Sequence, residues 1–380
     1  MTKEPKKTRK SRIIKEELGF SYSDSILFNI TLVLVCFGLI MCFSASAPTA
    51  QVVEENSYHY LHRQSLWAAI GFLALLFTSN FNYKNYKNYS FFFYAGTIGL
   101  LLIVLLFPPV NGARRWIGIG GASFQPSECA KYALIILLAH KLSVQKWENS
   151  KFFRDFIPYF IFFGVYALLL MMEPHFSCTL LLFGVTVAML FVSGAKMKHF
   201  GICLAVAIPI LVILAFSGYR GDRMSVYLNP LGSDPNGDGW QIRQSLFAIG
   251  SGGLFGLGMG QSRQKFLYLP EPQNDFIFAI LCEELGFFGA LSVIALFAVL
   301  IWRGINIAIN APDKFSCYLA TGITALIAIQ IIVNIAVVTS TIPVTGMPLP
   351  FFSAGGSSLV FLMGGIGILL NISKHINAGK

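Results

Sequence analysis

The chain has 380 residues, 55% of them hydrophobic and only 12% charged, with a formal net charge of +10. A soluble globular domain carries roughly 25% charged residues, so the composition excludes an ordinary soluble enzyme and indicates lipid as the solvent. The positive excess is not a nucleic-acid stripe: Lys3, Lys6, Lys7, Arg9, Lys10, Arg12 and Lys15 sit in a polar N-terminal tail, residues 1–25, suited to attraction by anionic lipid.

Spans of about 20 apolar residues, enough to cross roughly 30 Å of hydrocarbon, follow the tail. They are expected near 26–46, 64–81, 90–107, 127–143, 155–172, 177–195, 199–218, 275–302, 316–340 and 357–373. The fold class is therefore an all-α polytopic membrane protein of about ten helices, one transmembrane domain over 26–373 with a short tail at 374–380. The first span has a basic flank and an Ala45-Ser46-Ala47 sequence like a signal-peptide cleavage site. Its full-length apolar core and the spans after it favour an uncleaved helix. Cys36, Cys42, Cys129, Cys178, Cys203, Cys282 and Cys317 fall in or beside apolar stretches without a CxxC pair, and read as small buried hydrophobes.

Positive residues set the orientation. The tail, Lys84/Lys87, Lys146/Lys151/Arg154, Lys196/Lys198, Arg303/Lys314 and Lys374/Lys380 fall on one side of a ten-span plan, which places both termini in the cytoplasm. The segments 47–63, 108–126, 173–176, 219–274 and 341–356 are then outside. They hold most of the polar, Gly- and Pro-rich sequence, so function is sought on the outer face.

In the second outer segment, Asn111-Gly112-Ala113-Arg114-Arg115-Trp116 leads to Phe124-Gln125-Pro126-Ser127-Glu128-Cys129-Ala130-Lys131. Pro126 suits the first turn of a helix. Glu128 and Lys131 are then i,i+3 neighbours at its outer end, able to form either a structural ion pair or part of a site. Arg114 and Arg115 suit an anionic lipid-linked ligand, because guanidinium groups bind phosphate in a bidentate way; snorkelling toward lipid phosphates is the alternative.

The large segment 219–274 holds Arg220, Arg223, Asp234, Asp238, Arg243 and Arg263 and two glycine-rich tracts, 250–253 and 256–260. No strand–turn–helix context supports a dinucleotide-binding reading, and re-entrant or interfacial helices are expected. The segment ends in Tyr268-Leu269-Pro270-Glu271-Pro272-Gln273-Asn274-Asp275. A carboxylate where loop becomes helix is suited to general-base work, or simply to an N-cap. Glu283 and Glu284 lie about 12 Å deeper at 1.5 Å per residue. They differ by about 100° around the axis, so at least one points into the bundle, and pairing with a buried Lys or Arg is the simpler expectation. The last outer segment, Pro343 to Ser358, combines prolines with Ser353, Gly355 and Gly356. Free backbone N–H groups near the start of the last helix suit a pyrophosphate there, or only a loop and cap.

Together these segments resemble the SEDS family of bacterial cell-wall polymerases, which includes FtsW, RodA and SpoVE. The carriers are Ser44-Ala45-Ser46, NGARRW at 111–116, FQPSECAK at 124–131, YLPEPQNDFIFAILCEELG at 268–286 and PVTGMPLPFFSAGGSS at 343–358. Pro-Glu-Pro-Gln before Asp275 looks more like FtsW and SpoVE than RodA. The resemblance implies a glycosyltransferase that polymerises lipid II on the outer face of the cytoplasmic membrane, in division or related wall synthesis. The 4-hydroxyl of one disaccharide attacks C1 of the lipid-linked chain, and undecaprenyl pyrophosphate leaves with inversion. It also implies Asp275 as the base, Glu128, Lys131, Ser353, Gly355 and Gly356 around a central cavity, and Arg114 and Arg115 on the pyrophosphate. A class B penicillin-binding protein is the implied partner, alongside other division or elongation membrane proteins. No cofactor motif or protein metal cluster is visible, although a divalent cation is compatible with a pyrophosphate ligand.

The chain departs from the family pattern in three places. His175 stands where Asp is usual, Ser177-Cys178 where Gly-Thr is usual, and Ala354 replaces a common Tyr. Two rival readings use the same features: a lipid II flippase, with Asp275 only a gating group, and a non-catalytic scaffold for the transpeptidase. Inverted repeats would favour the flippase, and no convincing internal repeat is seen.

Overall fold

A computed structural model describes residues 24–109, 112–119, 122–147, 151–203, 205, 209, 224, 227 and 239–378. The basic tail, most of the expected span 199–218, and Asn111, Arg220, Arg223, Asp234 and Asp238 lie outside the described residues.

The described chain is helical apart from one hairpin. Its first half contains α1 (Ser25–Val53), α2 (His59–Asn80), the short α3 (Tyr83–Asn88), α4 (Ser90–Val104), α5 (Pro126–Val144), α6 (Ile157–Met172) and α7 (Phe176–Val192). The second half contains α8 (Gly239–Gly252), α9 (Ile277–Ile309), α10 (Lys314–Val338) and α11 (Gly356–Ala378). The hairpin pairs β1 (Ile117–Ile119) with β2 (Ala122–Phe124) antiparallel, Gly118 opposite Ser123, and feeds directly into α5.

Among the described residues, five helices are long and apolar enough to cross a membrane: Ser25–Val53, Phe152–Met172, Ile277–Ile309, Lys314–Val338 and Gly356–Ile376. The helices Ser90–Val104 and Phe176–Val192 are apolar but shorter. α5 is less apolar for a physical reason. It is buried nearly all round, from Ala130 to Ala139, by α4, α7 and α10. A helix enclosed by protein does not have to match lipid, so it can carry Glu128 and Lys131. α11 lies along α2. Thr78 Oγ1 donates to the Gly364 carbonyl at 2.9 Å, and a Cβ on Gly367 would strike the Thr78 hydroxyl. Small residues permit this approach, which replaces the hydrophobic effect as the source of helix association in lipid.

At one end of the bundle two aspartates tie helix termini together. Asp24 caps α1 by accepting from Leu27 N at 3.0 Å, and it also receives Arg303 Nε at 2.8 Å from the end of α9. Asp313 caps α10 with a reciprocal Ser316 box and accepts from Tyr83 OH at 2.6 Å. With this end held fast, the loops at the other end are free to build a site.

The glycine-rich tract after α8 packs against a break in α9. Gly286 has φ 67° and ψ −165°, which interrupts the helical hydrogen bonding. The carbonyls of Glu283 and Glu284 accept from the amides of Leu257 (2.9 Å) and Gly258 (3.0 Å). The amides of Phe287 and Phe288 donate to the carbonyls of Gly253 (2.9 Å) and Leu254 (3.2 Å). A Cβ on Gly286 would run into the Gly256 nitrogen. The tract therefore serves close backbone approach, and it partners two carbonyls and two amides at the break.

Candidate active site

A cavity of about 370 Å³ opens among the loops that precede four helices. Gln125 and Glu128 line it from the start of α5, His175 and Cys178 from the start of α7, Asn274 and Asp275 from the turn before α9, and Gly355 and Ser358 from the residue before α11 and the start of that helix. The N-caps of α5, α7 and α9 are Gln125, His175 and Phe276, and none makes a side-chain cap bond. Asp275 is thus not the N-cap of α9. Each helix N-terminus carries about half a positive charge, so the convergence favours an anion.

Arg115 and Lys131 add full positive charges to the same wall, and Glu128, Glu271 and Asp275 supply carboxylates. Pro126 takes the first position of α5. This places Lys131 Nζ 2.8 Å from Glu128 Oε2, both nearly buried. The two arginines part company. Arg115 Nε donates to the Glu173 carbonyl at 3.3 Å and its Nη2 to the Pro174 carbonyl, which holds the guanidinium at the cavity wall. Arg114 is exposed and turns away, donating to the Leu105 carbonyl at 2.9 Å. Gly356 also lies off the cavity lining, packed on the Trp67 ring.

Asp275 is held by its backbone. Three successive carbonyls are each fixed: Gln273 by the Ala354 amide (2.8 Å), Asn274 by the Ser353 hydroxyl (2.6 Å), and Asp275 by Asn334 Nδ2 (2.8 Å). Ser353 Oγ also accepts from Leu349 N at 2.7 Å, so this serine joins the last loop to the Asp275 turn. Gln64 holds the far side of that loop, accepting from Gly355 N at 3.2 Å and donating to the Ser353 carbonyl at 3.3 Å. Gly346 sits close to Asp275, where a Cβ would be 3.4 Å from Oδ2.

Gln64, Gln330 and Asn334 do not stand out among the loop motifs. A sequence signal exists for the last two, because they are polar residues at i,i+4 in an otherwise apolar helix. Gln330 Nε2 donates to the Pro348 carbonyl at 3.0 Å, and Asn334 Nδ2 to that of Met347 at 2.7 Å.

Glu283 and Glu284 both point inward and stand behind the site. Glu283 accepts from Ser251 Oγ at 3.2 Å, Arg263 N at 3.1 Å, Gln264 N at 3.3 Å and the Ser262 hydroxyl. Glu284 pairs with Lys265 Nζ at 2.8 Å and accepts from Ser44 Oγ at 2.7 Å. Ser44 thereby links α1 to α9, which accounts for the first of the sequence motifs. Beside Arg115, Glu173 is fully buried and both its carboxyl oxygens lack a hydrogen-bond partner. Burial pushes its carboxyl up to about 8, against the opposing pull of Arg115. Burial, followed by the positive charges of Arg115 and Lys131, pushes the His175 imidazole well below its usual range.

Comparison with known proteins agrees with this architecture. The chain is 46% identical over 358 residues to stage V sporulation protein E of Bacillus subtilis (strain 168), covering 93% of this chain and 97% of that one. It is 39% identical to a probable peptidoglycan glycosyltransferase FtsW of Geobacter sp. (strain M18), with the same coverage of both chains. A chain in a solved peptidoglycan synthase complex, described as coordinating polymerization and crosslinking, superposes with a TM-score of 0.78 at 26% identity over 92% of this chain and 97% of that one. The rod shape determining protein RodA of Thermus thermophilus superposes with a TM-score of 0.70 at 25% identity, over 93% and 97% of the two chains. Residues 24–378, which hold the cavity, its Asp275 turn and the loops that fix them, match the cell cycle protein family of FtsW, RodA and SpoVE, and the chain belongs to that family.

Proposed function

We propose that this protein is a peptidoglycan glycosyltransferase that polymerises lipid II into glycan strands. One observation carries the reading: a backbone-anchored carboxylate, Asp275, lines the same cavity as Arg115, Lys131 and four helix N-termini. A carboxylate suits the removal of a proton from an acceptor hydroxyl. Preorganised positive charge suits the pyrophosphate that carries the donor sugar and leaves with the lipid.

In this mechanism Asp275 accepts the proton of the incoming 4-hydroxyl as its oxygen attacks C1 of the growing chain. The C1–O bond to pyrophosphate breaks, and the anomeric configuration inverts. Arg115 and Lys131 balance charge on the departing phosphate, while Glu128 holds Lys131 in place. Ser353 and Gly355 act through backbone geometry around Asp275. Arg114 and Gly356, off the cavity lining, have supporting places beside it.

The same reading places the protein in the bacterial cytoplasmic membrane as a ten-span protein, with both termini cytoplasmic and the large segment 219–274 outside. Its partner is a class B penicillin-binding protein that crosslinks the strand, a division of labour supported by the solved synthase complex.

The test is purified full-length protein with its partner, supplied with labelled lipid II, beside Asp275→Asn. The wild type is expected to make polymer, and the variant to lose at least 10²-fold, the usual contribution of a positioned base, with its thermal stability unchanged. Equal polymer from both rejects the base assignment. Lipid transfer between leaflets without polymer favours a flippase instead.

A further inference from the structure

The turn from α6 into α7, Glu173-Pro174-His175, closes one side of the cavity. His175 is half-buried and lines the same cavity as Arg115 and Lys131, whose charges both reach it. Its Nδ1 is enclosed and has no hydrogen-bond partner. As the N-cap of α7 it leaves the first amides of that helix without a side-chain acceptor. A buried polar atom without a partner is costly to keep, so its presence at a cavity wall needs a use. Arg115 and Lys131 act on it directly; Glu128 on α5, Glu271 and Asp275 line the same cavity; and Glu173 and Glu128 flank the Cys178 thiol one turn along α7.

We propose that His175 is a phosphate-binding residue of this cavity, taking up one proton from water when a diphosphate head group settles beside Arg115 and Lys131. The proposal rests on the polymerase reading for the identity of that ligand. The chemistry is local. In the empty cavity, desolvation and two neighbouring cations disfavour the imidazolium form. A bound diphosphate reverses the sign of the local field and supplies an acceptor, so the imidazolium becomes a donor in a charge-assisted hydrogen bond. No covalent bond forms, and the proton returns to water when the anion leaves. A carboxylate at residue 175 could not act this way, because it would repel the phosphate. His175 thus makes ligand affinity in this chain depend on pH.

The sign follows. The imidazole's bound-state pKa lies above its free-state value, so binding takes up a proton at any pH between them, and affinity falls as pH rises through that window. The experiment measures binding of inorganic pyrophosphate and of a short isoprenyl pyrophosphate to the purified full-length protein from about pH 5.5 to about pH 8.5. Calorimetry in buffers of different ionisation enthalpy counts protons. His175→Asn and His175→Gln are measured at every pH, so ionisation of the probe itself cancels in the comparison.

The wild type is expected to bind roughly tenfold more tightly than either variant at the acid end, the size of one charge-assisted hydrogen bond. The difference should vanish at the alkaline end, and proton uptake should fall in both variants by the imidazole's share. Equal affinities across the range overturn the proposal. So does a wild-type complex that takes up no more protons than the variants, or a wild type that binds neither probe. Polymer synthesis is scored separately with Asp275→Asn. Unchanged pyrophosphate affinity in the His175 variants with polymerisation intact removes this inference and leaves the polymerase standing.

Discussion

The Asn334 side chain, on α10, donates to the backbone carbonyl of Asp275 at 2.8 Å and to that of Met347 at 2.7 Å. Of the two ends of the Asn334 amide only the nitrogen can donate, and its two protons serve the two carbonyls, so the amide's orientation is set by its partners. One buried side chain therefore fixes the distance between the carboxylate turn and the last loop.

Asn334→Leu or Asn334→Asp should consequently damage turnover more than substrate binding. Each leaves two carbonyls without their donor, costing about 1–3 kcal/mol per buried group, and the aspartate adds repulsion. A shift of about 1 Å in a catalytic group costs on the order of 10²-fold in rate. The measurement is kcat and KM for lipid II polymerisation, together with Tm. The expected result is a roughly 10²-fold fall in kcat with KM changed far less. A matched loss in both constants would mean that Asn334 does not set the Asp275 position.

The pair behind the site makes a separate prediction. Lys265 and Glu284 are both buried and 2.8 Å apart, with Ser44 as a third member. Removing one charge strands the other, at a cost of about 3–5 kcal/mol. Glu284→Gln and Lys265→Met should each lower Tm sharply. The double replacement Lys265→Met with Glu284→Leu should recover most of the loss, because apolar side chains of similar volume replace a buried ion pair at little cost. If the double variant is as unstable as either single one, the packing around Ser44 rather than charge is decisive.

Glu173 predicts a pH dependence of stability. Its carboxyl titrates near 8 when buried, above the ordinary value of 4.5 that the unfolded chain restores. The folded state binds the extra proton between those values, so stability falls as pH rises across the interval. The contribution is fully present below about 4.5 and lost as pH passes about 8. Glu173→Gln keeps the shape without the proton, so its Tm should change less than that of the wild type from acid to alkaline buffer, with the variant the more stable at the alkaline end. Parallel Tm curves for the two proteins would place Glu173 in contact with water or a cation.

Local features of this fold are legible in the residues alone, and contacts between distant segments are not. The five long apolar helices among the described residues, Pro126 at the start of α5 and the Glu128–Lys131 pair follow from apolar run length and i,i+3 geometry, which are local. Asp275 is placed by its position where loop becomes helix, but its freedom from capping depends on a turn that sequence does not specify. Arg114 and Arg115 are chemically identical neighbours in irregular backbone, and the position of the Glu173 and Pro174 carbonyls in the turn after α6 decides which one is held at the cavity. Lys265 as the partner of Glu284 is a contact between a loop and a helix, outside the reach of spacing rules. The glycine tracts have no strand–turn–helix context for a nucleotide, but spacing alone does not show that the backbone they meet is that of α9.

That last contact carries the sharpest stability prediction. Gly286 has φ 67° and ψ −165°, a region open essentially to glycine alone. Gly286→Ala must strain the backbone by about 1–3 kcal/mol or re-form a continuous helix. The second outcome withdraws the carbonyls of Glu283 and Glu284 from Leu257 and Gly258, and the tract loses its docking site. The Cβ also meets the Gly256 nitrogen, so relaxing the torsions alone gives no relief. The variant should therefore show both a lowered Tm and faster hydrogen exchange at residues 253–258. Gly250→Ala, whose Cβ meets nothing within 4 Å, serves as the control. Because α9 also begins beside Asp275, polymerisation should fall in Gly286→Ala and persist in the control. An alanine tolerated at 286 with exchange unchanged would mean that the break in α9 is held by something other than these four backbone hydrogen bonds.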